Sequence, residues 1–271
     1  MSIAYDDVVN AQKAQGDVIR KTSLTFSDTF TEITGSTIYL KNEFEQKTGS
    51  FKLRGAYYKI KTLSTEERKK GVVAASAGNH AQGVAYASAL EKINCTIVMP
   101  KNASPAKVAA TRGYGATVVL DGKNYDEAWI RAQEIAKTTD ATIIHAFDDS
   151  QIIAAQGVIG LEIIEQLPDV DEIYVPIGGG GLAAGVLVAI KDKNPNVKVI
   201  GVESKSFPSM KKSLDSGKLE TIEGGFTVAD GISVRTPGEQ TFEIIKDKID
   251  EIVLVDDNEI INAMFLLMER S

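Results

Sequence analysis

The clearest pattern in this chain lies at residues 71–83, which read GVVAASAGNHAQG. The apolar run at 71–75 predicts a buried strand, and the helical pattern over 79–90 begins directly after a turn of small and polar residues. Another apolar run at 95–99 predicts the next strand. A strand, a helix and a strand in this order pair in parallel with a right-handed crossover, so the pattern predicts the α/β fold class.

The same alternation continues on both sides, although residues 206–232 show no regular pattern. It predicts helices over 5–14, 50–63, 104–111, 125–137, 151–165, 182–191, 238–246 and 257–269, and strands at 116–120, 142–145, 172–177, 197–202 and 251–255. We therefore expect two open twisted lobes, each a parallel sheet with helices on both faces. The predicted division is a small domain, 53–149, and a large domain formed by 1–52 and 150–271. A small ligand is expected at the carboxyl ends of the strands.

Composition limits the classes of function. The 271 residues carry a net charge of −7 and an isoelectric point of about 5.1, which argues against a nucleic-acid partner. No apolar stretch is long enough to span a membrane and the first residues do not resemble a signal peptide, so we expect a cytoplasmic protein without a membrane partner. The single cysteine, Cys95, lies in a strand pattern and excludes an internal disulfide. The histidines His80 and His145 lack spaced ligands, so no metal site is expected.

Upstream of the opening strand, residues 46–56 read QKTGSFKLRGA. The Thr-Gly-Ser turn predicts a helix capped by Ser50, with Lys52 in its first turn. The positive end of the helix dipole disfavours a cation there, which makes the amine of Lys52 a better nucleophile. Taken by itself, however, this segment favours a solvated helix lysine over a nucleophile.

Downstream, residues 175–182 read VPIGGGGL and join a predicted strand to a predicted helix. Glycines let the backbone approach an anion and a helix start adds free amide donors, so the run favours a phosphate cradle over a merely tight turn. The spacing of Gly179, Gly181 and Ala184, with Glu203 at the end of the next strand, also fits a dinucleotide fingerprint. On spacing alone, a nicotinamide or flavin dinucleotide is an open alternative.

The turn at 76–83 allows two interpretations. Asn79 or Ser76 can cap an ordinary helix, or the free amides and both side chains can form a pocket for a substrate carboxylate. With the second interpretation, the chain has three predicted groups: a lysine amine, a phosphate cradle and a carboxylate pocket. A phosphorylated aldehyde cofactor that acts on an amino acid requires these three groups.

Three segments of the chain resemble those of threonine dehydratases, which are pyridoxal-phosphate enzymes of the second fold type, the tryptophan synthase β-like fold. The segments are SFKLRGA at 50–56, SAGNHAQG at 76–83 and GGGGL at 178–182. The resemblance covers essentially the whole chain and includes AFDD at 146–149, QG at 156–157, GVE at 201–203 and ADGI at 229–232. It implies pyridoxal 5'-phosphate as the cofactor and displaces the dinucleotide interpretation.

The resemblance also implies roles for individual residues. Lys52 would form the Schiff base with the cofactor as the catalytic residue, and the large domain would bind the cofactor. The implied cofactor contacts are Lys52, Phe51, Asn79, Gly178, Gly179, Gly180, Gly181 and Leu182. The implied substrate contacts are Ser76, Ala77, Gly78, Asn79 and His80.

The implied reaction converts L-threonine to 2-oxobutanoate and ammonia, with pyruvate formation from L-serine as a secondary activity. Serine racemases of this fold carry a second base, a serine, at the position that matches Ala77, and alanine cannot exchange a proton. We therefore expect elimination rather than racemisation. A β-replacing enzyme such as a cysteine synthase is a further alternative, although the form of residues 76–80 argues against it.

Members of this family continue for several tens of residues beyond the position that matches Ser271. That further segment includes a Ser-Gly-Gly-Asn sequence whose serine contacts the pyridine nitrogen. We therefore expect a C-terminally truncated chain, and an inactive or weakly cofactor-binding fragment is an alternative to an active enzyme. Family members are dimers or tetramers, so a homo-oligomer is expected for the full-length protein.

Overall fold

The computed structural model describes residues 3–270 and divides into two compact units. The first unit consists of Met1–Val8, Lys21–Glu43 and Gln156–Ser271, and the second consists of Val9–Arg20 and Phe44–Ala155. These boundaries differ from those of the predicted domains, so Lys52 falls in the second unit. Residues 1, 2 and 271 of the predicted large domain lie outside the described residues.

Helices and short strands alternate along most of the chain. The strands are β1 (Leu24–Phe26), β2 (Tyr39–Lys41), β3 (Val72–Ala75), β4 (Cys95–Met99), β5 (Thr117–Leu120), β6 (Thr142–Ile143), β7 (Glu172–Pro176), β8 (Lys198–Ser204) and β9 (Glu251–Val255). The helices are α1 (Tyr5–Gln15), α2 (Asp28–Thr34), α3 (Lys52–Lys61), α4 (Thr65–Lys70), α5 (Asn79–Leu90), α6 (Pro105–Gly113), α7 (Tyr125–Thr139), α8 (Ser150–Gln166), α9 (Gly181–Lys191), α10 (Ser209–Ser216), α11 (Glu239–Lys248) and α12 (Asp257–Arg270).

The second unit is built on a parallel sheet with strand order β5-β4-β3-β6. All residues of β3 are buried because the strand is covered on both faces. Val72 and Ala74 pack in a cluster with residues of α3 and α5, whereas Val73 and Ala75 pack with residues of α7. The predicted parallel sheet with helices on both faces is therefore confirmed for this unit.

The first unit contains a parallel sheet with strand order β7-β8-β9, and an antiparallel pair formed by β1 and β2. Strand β7 alternates between buried and exposed residues, with Ile173 and Val175 inside. Helix α9 is buried from Ala183 to Ile190, so its packing in the core fixes the position of the turn that precedes it. Within residues 3–270, no helix is long and apolar enough to cross a membrane.

Three short helices were not predicted, namely α2, α4 and α10. Helices α2 and α4 are too short to show the apolar periodicity that reveals longer helices, and α4 is instead defined by a capping box between Ser64 and Glu67. The prediction that Ser50 caps α3 is wrong. The helix begins at Lys52 after Phe51, and the buried Ser50 hydroxyl has no hydrogen-bond partner. Cys95 is a buried strand thiol as expected, and burial raises its pKa to about 11.

Candidate active site

Lys52 is the first residue of α3, and the packing of α3 against α5 fixes its backbone. Gly83 of α5 lies so close that a Cβ atom there would be 3.2 Å from the carbonyl oxygen of Lys52. A side chain at position 83 would therefore push the start of α3 away from α5. The glycine that ends the 76–83 segment thus holds the lysine in place.

The amine of Lys52 is partly removed from water. Its Nζ donates a hydrogen bond of 2.7 Å to the Ala146 carbonyl and lies 5.3 Å from the centre of the Phe51 ring. Burial lowers the pKa of Lys52 to about 8, because the ammonium form loses hydration. The sequence predicted this direction but attributed it to the helix dipole. A larger neutral fraction near neutral pH makes the amine a better nucleophile and base.

The turn before α5 is not an ordinary capped helix start. The Ser76 hydroxyl accepts a hydrogen bond of 3.2 Å from the Gly78 amide, within the turn itself. Gly78 precedes α5 without a side-chain cap, and Asn79 is exposed at the first position of the helix. The capping interpretation is therefore wrong for both side chains. The amides of the first helical turn, which have no intrahelical acceptor, are available to an anion.

His80 follows the turn but its ring points into the core of the second unit. Only 4% of the residue is exposed, and Nε2 lies 2.9 Å from the carbonyl oxygen of Ile144, to which it donates. Burial, together with the charge of Lys52, lowers the pKa of His80 to about 3, so the ring is neutral. Its side chain links α5 to the end of β6. Only the backbone of His80 therefore remains at the predicted substrate-binding turn.

His145 lies beside Lys52 and was considered in the sequence only as a metal ligand. Its ring makes edge-to-face contacts with Trp129 at 5.1 Å and with Phe147 at 4.7 Å. Its Nδ1 accepts hydrogen bonds from the amides of Phe147 at 3.3 Å and Asp148 at 2.8 Å. The turn that carries the Ala146 carbonyl is thus tied to the ring of His145.

The glycine run forms the turn between β7 and α9. Gly180 has φ +94 and caps α9, and a Cβ atom there would lie 2.8 Å from Met210 Cε and from Thr241 Oγ1. A Cβ atom on Gly178 would lie 3.0 Å from Ile232 Cα. Within residues 3–270, no acceptor is found for the backbone amides of Gly179 to Leu182. The run therefore combines a close-packed backbone that has no room for Cβ atoms with free amides at a helix start. This combination is suited to binding a phosphate.

Thr241 of α11 supports this cradle and was not found by sequence reasoning. Its hydroxyl is 2.6 Å from the Gly179 carbonyl and 3.1 Å from the Gly238 carbonyl, and the residue is fully buried. The Gly238 amide also donates to the Gly179 carbonyl at 3.2 Å. The sequence signals only an amphipathic helix here, because a single threonine on its buried face has no distinguishing pattern.

Glu203 does not act as a ribose-binding acid. The residue is fully buried at the end of β8, and its carboxylate accepts hydrogen bonds from the amides of Met210 at 2.9 Å and Lys211 at 2.8 Å. It therefore caps α10, and both carboxylate oxygens are occupied. Burial raises the pKa of Glu203 to about 7. The dinucleotide interpretation of its spacing from the glycine run is wrong.

In each unit taken by itself, the groups present fit part of the chemistry of pyridoxal phosphate. The second unit contains an amine of lowered pKa and a helix start open to a carboxylate. The first unit contains a phosphate cradle that a Cβ atom would fill. In the part of the chain from 3 to 270, no group of three or more histidine, cysteine or acidic side chains is placed to hold a metal ion.

Comparisons with known proteins agree with these observations. Residues 16–271 match the family described as pyridoxal-phosphate dependent enzymes. The chain is 52% identical over 269 residues to an L-threonine ammonia-lyase of Thermotoga maritima, covering 99% of this chain and 67% of that protein. It is 46% identical over 271 residues to a catabolic L-threonine dehydratase of Escherichia coli K12, covering 100% of this chain and 82% of that protein.

A solved structure of a serine racemase from Dictyostelium discoideum is also similar. It aligns with a TM-score of 0.93 and 38% identity, covering 100% of this chain and 87% of that one. The family match spans nearly the whole chain. The chain therefore belongs to the family of pyridoxal-phosphate-dependent enzymes.

Proposed function

We propose that this chain is an L-threonine ammonia-lyase, which converts L-threonine to 2-oxobutanoate and ammonia and converts L-serine to pyruvate as a secondary activity. The observation that carries the proposal is the partly buried amine of Lys52, whose pKa burial lowers to about 8. The names of the similar lyases from Thermotoga maritima and Escherichia coli support the choice of threonine.

The proposed roles assign each step to groups of this chain. When bound, pyridoxal phosphate supplies an aldehyde that condenses with amines and a conjugated ring that spreads negative charge from the substrate Cα. Lys52 would hold the cofactor until the substrate amine replaces it, and its free amine would then take up the α-proton. The resulting ammonium would donate that proton to the departing β-hydroxyl.

Binding is assigned to two sets of residues. The amides of Gly178 to Leu182 would hold the cofactor phosphate, and Phe51 and Asn79 would contact its ring. The turn from Ser76 to His80 would hold the substrate carboxylate through amides at the start of α5. In this proposal the first unit, which overlaps the predicted large domain, binds the phosphate.

The test measures 2-oxobutanoate and ammonia after the chain, loaded with pyridoxal phosphate, is mixed with L-threonine. We expect equal amounts of both products and a slower release of pyruvate from L-serine. A chain that binds the cofactor but forms neither keto acid would contradict the proposal and favour a cofactor-binding fragment.

Replacing Thr241 with valine is expected to weaken cofactor binding about threefold to tenfold, because one buried hydrogen bond contributes about 0.5–1.5 kcal/mol. The variant keeps the shape of the side chain but loses the hydroxyl that lies 2.6 Å from the Gly179 carbonyl. The measurement is a fluorescence titration of the cofactor-free chain with pyridoxal phosphate. Thr241→Ser, which retains the hydroxyl, is the matched control, and equal weakening in both variants would argue against this role.

Racemisation is the second candidate function, because a serine racemase aligns over the whole chain. The resemblance of residues 76–80 to the family would place Ala77 where serine racemases carry their second base, and alanine has no proton to exchange. We expect incubation with L-serine to give pyruvate without D-serine, as measured by chiral chromatography. D-serine formation at a rate comparable with that of pyruvate would show that another residue acts as the second base.

We also propose that the protein works in the cytoplasm as a homo-oligomer. Large apolar side chains in the first unit are exposed, among them Phe226 at 80%, Met268 at 70% and Phe265 at 62%. Exposed apolar surface of this kind is covered by association in many soluble proteins. Light scattering on the purified chain tests this proposal, and a monomer at all concentrations would contradict it.

A further inference from the structure

We propose that His145 is a positioning residue for Lys52, because its Nδ1 holds the turn at 146–148 in the conformation that directs the Ala146 carbonyl at the lysine amine. The inference rests on the proposed function in one respect, namely that the amine of Lys52 is the catalytic group. It assigns a role to a histidine that the proposed mechanism does not use.

The first part of the argument is the geometry of the turn. Nδ1 of His145 accepts from the amides of Phe147 and Asp148, at 3.3 Å and 2.8 Å, in the way that an Asx side chain closes a turn on its own backbone. The carbonyl enclosed by these contacts is that of Ala146, which accepts from Lys52 Nζ at 2.7 Å. Releasing the two amides would therefore free the acceptor that holds the amine.

The second part is the environment of the ring. The edge-to-face contacts with Trp129 and Phe147 leave little freedom for the imidazole to rotate. Only the neutral ring, with its proton on Nε2, can accept at Nδ1. A protonated ring would place an N–H group against the two amide donors and abolish both contacts.

The charged groups around His145 act in both directions. Burial lowers its pKa most, the charge of Lys52 on α3 lowers it further, and the carboxylates of Asp148 and Asp149 oppose this. His80 on α5 is neutral and adds no charge. Asp149 is itself paired with Lys59 at 2.8 Å. The net direction is a pKa below 6.5, so the acceptor is present near neutral pH and is lost as pH falls through the lowered pKa.

The test compares two variants of the full chain. His145→Phe keeps an aromatic ring between Trp129 and Phe147 but removes the acceptor. His145→Asn removes the ring but places an amide oxygen where it can accept from the same backbone amides. A merely structural role of the ring would be better preserved in His145→Phe, whereas a positioning role through Nδ1 would be better preserved in His145→Asn.

The primary readout is the pKa of Lys52, measured by competitive acetylation of the cofactor-free chain over a range of pH with mass spectrometry of the Lys52 peptide. Lys61, on the same helix, serves as an internal reference. We expect His145→Phe to raise the rate of Lys52 acetylation at pH 7 by about fivefold, because loss of a carbonyl acceptor destabilises the ammonium form and a fall of about one unit in the pKa of Lys52 enlarges the neutral fraction. We expect His145→Asn to leave the rate within about twofold of the unchanged chain. Equal acetylation rates in His145→Phe and the unchanged chain, or equal changes in both variants, would overturn the proposal.

A second measurement keeps the proposal testable should His145→Phe fold poorly. Acetylation of Lys52 in the unchanged chain should fall less steeply with falling pH than that of a single titrating amine as His145 becomes protonated, because loss of the acceptor and the new positive charge both lower the pKa of Lys52. His145→Asn should lack this deviation because an amide does not titrate. The same pH profile in both chains would overturn the proposal. Neither measurement requires turnover, so failure of the inference is distinguishable from failure of the proposed lyase activity.

Discussion

Replacing Lys52 with alanine is expected to lower kcat for 2-oxobutanoate formation by at least about a thousandfold, because the amine is both the covalent attachment and the acid–base group in the proposed reaction. The variant should also lose the visible absorbance that a lysine amine gives to bound pyridoxal phosphate. Both quantities are measured on the same sample, by product formation from L-threonine and by absorbance before and after the substrate is added.

Lys61→Ala is the matched control for this prediction. Lys61 lies on the same helix, where it donates to the Ala14 carbonyl at 2.8 Å, and its removal should change kcat by less than about twofold. A Lys52→Ala variant that retains most of its activity would show that another amine carries the reaction. A variant that retains the absorbance but not the activity would confine Lys52 to the proton transfers.

Replacing Gly180 with alanine is expected to lower the free energy of unfolding by about 2–4 kcal/mol and to weaken pyridoxal-phosphate binding more than tenfold. Gly180 has φ +94, a region that L-residues avoid, and the new Cβ atom would lie 2.8 Å from Thr241 Oγ1 and Met210 Cε. Relief of these clashes would move the backbone of the cradle and misdirect its amides. Denaturant unfolding of the cofactor-free chain and a cofactor titration measure the two effects separately.

Gly225→Ala is the control in the same unit. Its Cβ atom would meet only Ser206 Cβ, at an ordinary distance of 3.8 Å, so stability and cofactor affinity should change little. Gly180→Ala could have the same free energy of unfolding as Gly225→Ala and still bind pyridoxal phosphate more weakly. In that case the new Cβ atom would disturb only the cofactor-bound form. Unchanged stability together with unchanged affinity would refute the assignment of the glycine run as the phosphate cradle.

The regular elements of the fold could be predicted because each leaves a local pattern. Helix α5 and strands β4 and β9 begin and end at the residues expected, since each is a continuous helical or apolar run between polar or glycine-containing turns. The helices that were missed are defined by caps. Helix α10 in particular starts where the Glu203 carboxylate accepts from the amides of Met210 and Lys211, and the residue that directly precedes it, Pro208, provides no side-chain cap.

Some residues of the candidate site could likewise be predicted from the sequence, and others could not. Lys52 and the glycine run stand out in the sequence because a helix-start lysine and consecutive glycines are unusual locally. His145 and Thr241 do not stand out, because each acts through a hydrogen bond to a backbone group whose position depends on the packing around it. The pKa of Lys52 is an intermediate case, since its direction was predicted and its cause, burial, was not.

The sequence alone determined the α/β alternation, the parallel sheets and the glycine turn, because apolar periodicity and the absence of a Cβ atom act within a few residues along the chain. Only the tertiary structure decided what surrounds these groups. The acceptor for Lys52 comes from Ala146, 94 residues away, and the support for Gly179 comes from Thr241, 62 residues away. Burial and hydrogen bonding depend on distances through space, and chain separations of this size leave no local pattern from which to infer them.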